Sequence, residues 1–200
     1  MPALITPMTE LEAVNECLEN IGQAPVSTIS GDLGVDTQVA LNFVRKVNRE
    51  LQSKGWFWNT EENYPLEPDV NGDILLPANF LALQSIGQSA HRRVAARGQR
   101  LYDREDFTYT FTETIYVDLV VALPFEELPE TARRYIALRA ARLFQDRIED
   151  NASQTDSQDE ATAMSDLVSE QLRMEKNNVL TDNWSAFGIT NRRTSEGIIY

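Results

Sequence analysis

Hydrophobic residues recur at helical spacing near the start of the chain, in the segment TELEAVNECLENIG. Intervals of three and four residues between apolar positions predict an amphipathic helix. Thr9, followed by Glu12 three residues later, has the pattern of a capping box, and Gly22 marks the end of the helix. The apolar stripe consists of Leu11, Val14, Leu18 and Ile21.

A second amphipathic helix is predicted in DTQVALNFVRKVNRELQSKG, after a loop that is rich in helix-breaking residues. We expect Asp36 to be its N-cap and Gly55 to end it. The apolar stripe of this helix consists of Val39, Phe43, Val47 and Leu51, widened by Ala40 and Val44.

From Trp56 the pattern changes to short, β-branched and aromatic segments separated by turn residues, which predicts strands. The turns DVNGD and ARGQR are typical of hairpins. The predicted strands are WFWN, NYPLEP, DILLP, ALQSIG, RRVAARG, RLYDR, FTYTFT and TIYVDLVVAL.

Helical spacing returns in FEELPETARRYIALRAARLFQDRIED, where Pro129 and Glu130 suit the first turn of a helix. A polar link, DNASQTDSQ, leads to a fourth amphipathic segment, DEATAMSDLVSEQLRMEKN. The third helix is expected to bury Ile136, Ala140, Leu143, Phe144 and Ile148, and the fourth Met164, Leu167, Val168 and Leu172.

The order of elements predicts an α+β fold. An antiparallel bundle of about four helices, formed by 1–55 and 129–180, is interrupted by a β-rich insert domain at 56–128. The last segment, 181–200, carries large apolar side chains without a sustained period, and we expect an extended arm that docks on a partner. The candidate partner-binding residues of this arm are Trp184, Phe187, Arg192, Arg193, Ile198, Ile199 and Tyr200.

Arginines are predicted on the outer faces of the third helix, opposite a largely acidic fourth helix. One interpretation is a solvated face whose arginines pair with acidic residues of another helix or subunit. The other is a basic helix that binds nucleic acid. The net negative charge of the chain favours the solvated face. The candidates for pairing between subunits are Arg133, Arg134, Arg139, Arg142 and Arg147.

The formal net charge of −13 argues against a surface that binds nucleic-acid phosphates. Of the 18 basic residues, 15 are arginine. This bias indicates protein interfaces or only a lineage preference, and composition does not decide between them. The chain has neither a long apolar run nor the pattern of a secretory signal, so we expect a protein made in the cytoplasm, without membrane insertion.

Cofactor, metal and catalytic motifs are not found in the sequence. Cys17 and His91 are the only residues of their kinds, which excludes an internal disulfide and leaves no Cys/His set with the spacing of a zinc site. The sequence contains neither the glycine spacing of a phosphate-binding loop nor the nucleophile elbow of a hydrolase. His91 is expected to be an exposed histidine at the end of a strand and not a catalytic residue. No catalytic, cofactor-binding or metal-binding residue is therefore predicted.

The segment QSKGWFWNTEENYPLEP combines aromatic residues with carboxylates and has two interpretations. In a strand, Trp56 and Trp58 would share one face and line a sugar-binding groove, with Glu61 or Glu62 as a catalytic carboxylate. The alternative is a packed corner between helix and sheet, and large aromatic side chains usually fill cores. The corner is preferred, and its residues are Gly55, Trp56, Phe57 and Trp58.

Four segments, in order, resemble the tail tubular protein A, or adaptor, family of short-tailed bacteriophages. They are EAVNECLENIGQAPVSTI, VNRELQSKGWFWNTEEN, LYDR and LPETARRYIALRAARLFQDR, so that the resemblance covers about Leu11 to Ile148. It is weakest in the fourth helix and the tail. The family has no catalytic motif that maps onto this chain.

The resemblance implies a structural virion protein rather than an enzyme. Family members form a ring of twelve copies between the portal and the tail nozzle, tail tubular protein B, help to hold tail fibres, and pass DNA through the lumen during genome ejection. The expected location is the neck of the virion tail, after synthesis in the bacterial host. The alternative function is a virion-associated carbohydrate hydrolase or polysaccharide-binding module. For the structural protein itself, the sequence leaves open a secondary glycosidase activity.

Overall fold

The computed structural model describes residues 6–149 and 154–179, and the predicted arm at 181–200 lies outside them. The predicted α+β class is confirmed, with four α-helices and antiparallel sheets. The helices are α1 (Glu10–Asn20), α2 (Val35–Gln52), α3 (Glu130–Glu149) and α4 (Gln154–Val179). The strands are β1 (Thr60–Leu66), β2 (Phe80–Ser85), β3 (Val94–Arg97), β4 (Arg100–Asp103) and β5 (Ile115–Val121).

Helix α3 is the centre of the helical part, because α1, α2 and α4 all pack against it. The capping box of α1 is confirmed: the Glu12 amide donates to the Thr9 hydroxyl at 3.2 Å, and the Thr9 amide donates to the Glu12 carboxylate at 2.7 Å. The largest fully buried side chains of this core include Leu18, Val44, Leu51, Ile136, Phe144 and Leu167.

Helix α2 begins two residues earlier than its sequence predicts. Gly34 is the N-cap, and Asp36 lies in the first turn, where its carboxylate accepts a hydrogen bond from the Gln23 side chain at 2.5 Å. A carboxylate in this position is favoured by the helix dipole even though it does not cap the helix. The prediction of Asp36 as N-cap is therefore wrong by two residues.

Helix α4 begins within the segment expected to be a polar link, and it buries fewer residues than its pattern predicts. Leu167 is fully buried, but Val168 and Leu172 are 38% and 51% exposed. Among the other helices, α4 makes its main contact with α3 alone, so only a narrow stripe is covered. Ile148, near the end of α3, is likewise 48% exposed.

The main sheet has the strand order β1-β5-β2, and both pairings are antiparallel. The central strand β5 alternates between buried and partly exposed positions, as expected for a sheet with one face on a core. A second hydrophobic core, separate from the helical one, lies against this sheet. Its fully buried members include Ile74, Leu101, Ile115, Val117 and Leu119.

Strands β3 and β4 form a hairpin whose two-residue turn, Gly98–Gln99, follows from the pairing of Arg97 with Arg100. Gly98 has a φ of +63°, which glycine adopts without strain. DILLP and FTYTFT were expected to be strands, but they contribute only isolated bridges, such as Asp73 with Thr110.

The two cores correspond to the helical and β-rich parts of the sequence. The proposed boundaries at 1–55, 56–128 and 129–180 stay predictions. No helix in the described ranges is long and apolar enough to cross a membrane.

Candidate functional site

The segment from Trp56 to Asn59 is a turn that joins α2 to β1, and strand β1 begins only at Thr60. Within the turn, the Asn59 amide donates to the Trp56 carbonyl at 3.0 Å. The Trp56 amide donates to the Asn59 side-chain oxygen at 2.8 Å. The prediction of WFWN as a strand is wrong, because this local hydrogen bonding replaces strand pairing.

Asn59 is the buried centre of this corner, with 1% exposure. Its side-chain amide donates to the carbonyl of Gln52, in the last turn of α2, and to that of Val121, at the end of β5, both at 2.9 Å. A buried side-chain amide that donates to backbone carbonyls of two elements fixes the relative position of these elements. If the elements moved apart, the carbonyls would stay buried without a hydrogen bond, which costs free energy.

Gln52 makes a second connection between the same elements. Its side-chain nitrogen donates to the Leu123 carbonyl at 2.9 Å, and its side-chain oxygen accepts from the Leu123 amide at 2.7 Å. Gln52 is 2% exposed. The end of α2 and the segment that leaves β5 are thus joined by a paired amide contact shielded from water.

The aromatic side chains of the corner pack on the helical core. The Trp56 and Trp58 rings stack with centroids 6.5 Å apart and planes at 5°. The Trp56 indole N–H donates to the Leu51 carbonyl at 2.8 Å. The Phe57 amide donates to the side chain of Gln171 in α4 at 2.9 Å. The aromatic turn therefore touches both the second and the fourth helices.

Gly55 lies where the chain leaves α2, three residues after the helix ends at Gln52. Its φ is +71°, and a Cβ at this position would lie 3.1 Å from Cγ2 of Val120. The backbone conformation favours glycine here, and the close approach of β5 leaves little room for a Cβ. The structure places Gly55, Trp56, Phe57 and Trp58 together at the corner.

The same geometry does not provide the sugar-binding groove. A platform for a sugar ring needs an exposed aromatic face, but Trp56 is only 6% exposed and stacks on Trp58. Glu61 and Glu62 are exposed on β1, outside the aromatic turn. The arrangement therefore has the character of a structural joint.

Arg133 was expected on an outer face of α3, but it is buried, with 8% exposure. Its Nε donates to the Leu128 carbonyl at 2.7 Å and its Nη1 to the Met8 carbonyl at 2.8 Å. Nη2 donates to the Glu126 carbonyl. The expected position is wrong because the guanidinium provides the donors that the chain entering α1 and α3 requires.

Arg139 and Arg142 both pair with Glu160 of α4, at 2.6 and 2.5 Å. The expectation that arginines of the third helix pair with acids of the fourth is confirmed here. Burial raises the pKa of Glu160, but hydrogen bonds from Arg142 and Arg139 outweigh this effect, so that its pKa lies below the ordinary value. These contacts attach α4 to α3 within one chain.

Arg134 and Arg147 are the exposed members of the set proposed for pairing between subunits. Burial and the charge of Glu19 raise the pKa of Glu16 in α1, and the charge of Arg134 partly opposes them. Arg147 has no carboxylate within ion-pair distance in the described ranges. Only these two arginines of α3 remain available to another subunit.

The arginine face is a second charged surface, which the sequence analysis missed. Val94 and Ala96 of β3 pack on the β core, so the alternate residues Arg93 and Arg97 lie on the opposite face of the hairpin. Their cross-strand neighbours share this face. The arginine face is defined by Arg93, Arg97, Arg100 and Arg104.

Two tyrosine rings, Tyr102 and Tyr109, pack against guanidinium groups of the arginine face. The Arg97 guanidinium lies 3.5 Å from the ring centroid of Tyr102, and the Arg100 guanidinium lies 4.5 Å from that of Tyr109. The two tyrosine rings meet edge to face at 4.8 Å. Arg100 also pairs with Asp73. The signal in the sequence was the symmetric placement of arginines about the ARGQR turn.

Other groups with reactive chemistry are not organised into a site. Cys17 is buried, and burial raises the pKa of its thiol to about 12. His91 is exposed. The residues that the structure describes contain no group of three or more side chains able to hold a metal ion. The seven partner-binding residues proposed in the arm, from Trp184 to Tyr200, lie outside the described ranges.

Comparison with known proteins gives two findings. A family model described as Tube, tail tubular protein, matches residues 11–182 of the chain. The tail tubular protein A of Klebsiella phage KP34 is 30% identical over 130 residues, which cover 65% of this chain and 68% of that protein.

Proposed function

The chain belongs to the tail tubular protein family of structural phage tail proteins, and we propose that it is the adaptor between the portal and the tail nozzle. It is made in the bacterial host and assembles as a ring of twelve copies in the neck of the virion. The bundle and the arm at 181–200 engage the portal. The β-rich part engages the nozzle, tail tubular protein B, and the tail fibres.

The buried joint at Asn59 and Gln52 is the observation that carries this proposal. An adaptor must present different surfaces to two partners and keep them at a constant angle. The hydrogen bonds of these two side chains to the Val121 and Leu123 carbonyls connect the helical part to the sheet. Neighbouring α4 reaches the same joint through Gln171.

The net charge of −13 supports a role in DNA passage without adhesion. DNA binds strongly where lysines and arginines neutralise its phosphates. A ring of acidic subunits, with part of that charge on the lumen, repels the duplex and lets it slide during genome ejection.

The proposal is tested by the sedimentation mass of the purified chain, alone and mixed with the portal ring of the same phage. Negative-stain imaging of the heavy species then gives its shape. We expect a discrete ring stacked on the portal. Because acidic subunits repel each other, the free chain is expected to remain monomeric until the portal is added. A chain that stays monomeric in the presence of the portal would contradict the proposal.

Polysaccharide binding or hydrolysis is the alternative function, and it lacks an open aromatic platform in the described ranges. Replacement of both Trp56 and Trp58 by alanine discriminates between the two functions. If the two tryptophans form a structural joint, the double variant should fail to fold, which circular dichroism measures. A folded variant that no longer binds polysaccharide would favour the alternative.

A further inference from the structure

Three members of the arginine face carry charges that the chain itself does not neutralise. Arg93, Arg97 and Arg104 are exposed, and in the described ranges no carboxylate lies within ion-pair distance of them. By contrast, the adjacent Arg92 pairs with Asp103, Asp106 and Glu113 at 3.3, 3.3 and 2.7 Å. An uncompensated cluster of arginines on a chain of net charge −13 is suited to an acidic partner.

An acidic surface of complementary character lies on the edge strand β1. Glu61 and Glu62 are exposed there, without a basic partner in the described ranges. The pairing of β1 with β5 shifts register between Glu61 and Tyr64, where Asn63 has a φ of +54°. A bulge of this kind interrupts the regular pairing of an edge strand and turns the side chains of that strand toward solvent.

The two surfaces do not meet within one chain: in the described ranges no member of the arginine face lies within ion-pair distance of Glu61 or Glu62. Strand β1 is one edge of the order β1-β5-β2, and β3 packs beside β2, which is the other edge. Complementary patches that lie apart do not neutralise each other within one chain. They can meet head to tail between identical copies, which is the arrangement that generates rings.

We infer that the arginine face of one copy binds the acidic β1 edge, Glu61 and Glu62, of the next copy. The inference rests on the proposed ring, and it identifies the contact between neighbouring subunits. Arg93 and Arg104 are cross-strand neighbours, joined by a 2.8 Å backbone hydrogen bond, and present two guanidinium groups together. A planar guanidinium pairs with carboxylates in a bidentate manner, which gives the contact direction as well as attraction.

An acidic protein surface fits the arginine face better than nucleic acid does. Stacking of bases requires an open aromatic face, but Tyr102 is 7% exposed because Arg97 covers its ring. The cluster is also small within an acidic chain, whose overall field repels phosphates. The acidic partner, in contrast, is present on every copy.

Charge reversal tests the contact in the full-length chain, mixed with the portal ring at a series of concentrations. Arg93→Glu/Arg104→Glu and Glu61→Arg/Glu62→Arg should each raise the concentration needed for half-maximal assembly by at least about tenfold. A 1:1 mixture of the two variants should restore assembly, because each interface then pairs opposite charges again. Glu67→Arg/Glu127→Arg is the matched control for the second variant, since it makes the same charge change at exposed positions of the β-rich part, outside the bundle that engages the portal.

The outcomes separate this inference from the proposed function. If the unaltered chain forms no ring on the portal, the proposed function fails, and the inferred contact fails with it. If it forms rings and Arg93→Glu/Arg104→Glu forms them at the same concentration, only the contact is wrong. Intact assembly together with loss of duplex DNA binding in that variant would also overturn the contact, in favour of a DNA surface. Unchanged circular dichroism of all variants confirms that folding is intact.

Discussion

The arginines of α3 and those of the β3–β4 hairpin look alike in the sequence but differ in their surroundings. On α3, Arg133 is buried among carbonyl groups, and Arg139 and Arg142 pair with Glu160 of α4. On the hairpin, Arg93 and Arg104 project from the solvent side of a two-stranded sheet without a carboxylate partner in the described ranges. The first set holds one chain together, and the second set is available to another molecule.

The reason for the difference is the number of elements packed around each set. A central helix has neighbours on several sides, so its long side chains meet acceptors of the same chain. A hairpin that covers a core with one face leaves its other face to solvent. Residue type alone therefore does not identify an interface. An arginine is available to another molecule only where its own chain provides no carbonyl or carboxylate acceptor.

Among single substitutions, the largest expected loss of stability is in Arg133→Met. This substitution fills much of the volume but leaves the carbonyls of Met8, Glu126 and Leu128 without their donor. We expect a loss of roughly 3 kcal/mol in the free energy of unfolding, measured in urea. The control Arg147→Met, on the exposed side of the same helix, should stay within about 0.5 kcal/mol. Equal effects of both substitutions would remove the distinction between buried and exposed arginines.

A smaller effect is expected from Asn59→Ala at the corner, which tests whether an uncharged buried group acts in the same way as Arg133. The carbonyls of Gln52 and Val121 lose their donor, so the unfolding free energy should fall by about 2 kcal/mol. Asn42→Ala, at an exposed position of α2, should change it by less than about 0.5 kcal/mol. A stable Asn59→Ala protein would show that the joint depends on the aromatic packing alone.

The ion pairs of Glu160 should make stability depend on pH. The folded-state pKa of Glu160 lies below its ordinary value of 4.5. The pairs therefore stabilise the fold above that pH, and their contribution is lost as the pH falls through the folded-state pKa. Glu160→Gln should cost about 1 kcal/mol at neutral pH and flatten the acid limb of the unfolding curve. An identical pH profile in the variant would show that other carboxylates control acid stability.

The smallest effects on stability belong to the arginine face. Arg93→Ala should leave the unfolding free energy within about 0.5 kcal/mol, because this side chain is exposed. Arg97→Ala should cost about 0.5 to 1 kcal/mol, because it removes a cation–π contact with Tyr102. Thermal unfolding measures both. A large loss in Arg93→Ala would show that the hairpin arginines are structural, as those of α3 are.

The helices and the central strand could be predicted because their patterns are local. The capping box of Thr9 and Glu12 and the alternation in β5 each specify one element within a few residues. The α3–α4 pairing was also predictable, since opposite charges on adjacent antiparallel helices are close by construction. The same patterns misplaced Arg133, because its acceptors come from 8, 126 and 128, which only the folded chain brings together.

The corner and the hairpin show a second limit of prediction from sequence, because both depend on contacts between separate elements. WFWN has the composition of a strand, but the Asn59 side chain closes it into a turn by accepting a hydrogen bond from the Trp56 amide. The same side chain fixes the turn in place through contacts with Gln52 and Val121. The second of these residues is distant in the sequence. The arginine face was overlooked because Arg93, Arg97, Arg100 and Arg104 become one surface only when the register of β3 and β4 is known.

A reconstruction of the virion neck by electron cryomicroscopy tests the adaptor role most directly. The account predicts twelve copies of this chain in a closed ring between the portal and the nozzle, with each arginine face against the β1 edge of the adjacent copy. A neck that lacks this protein would contradict the account.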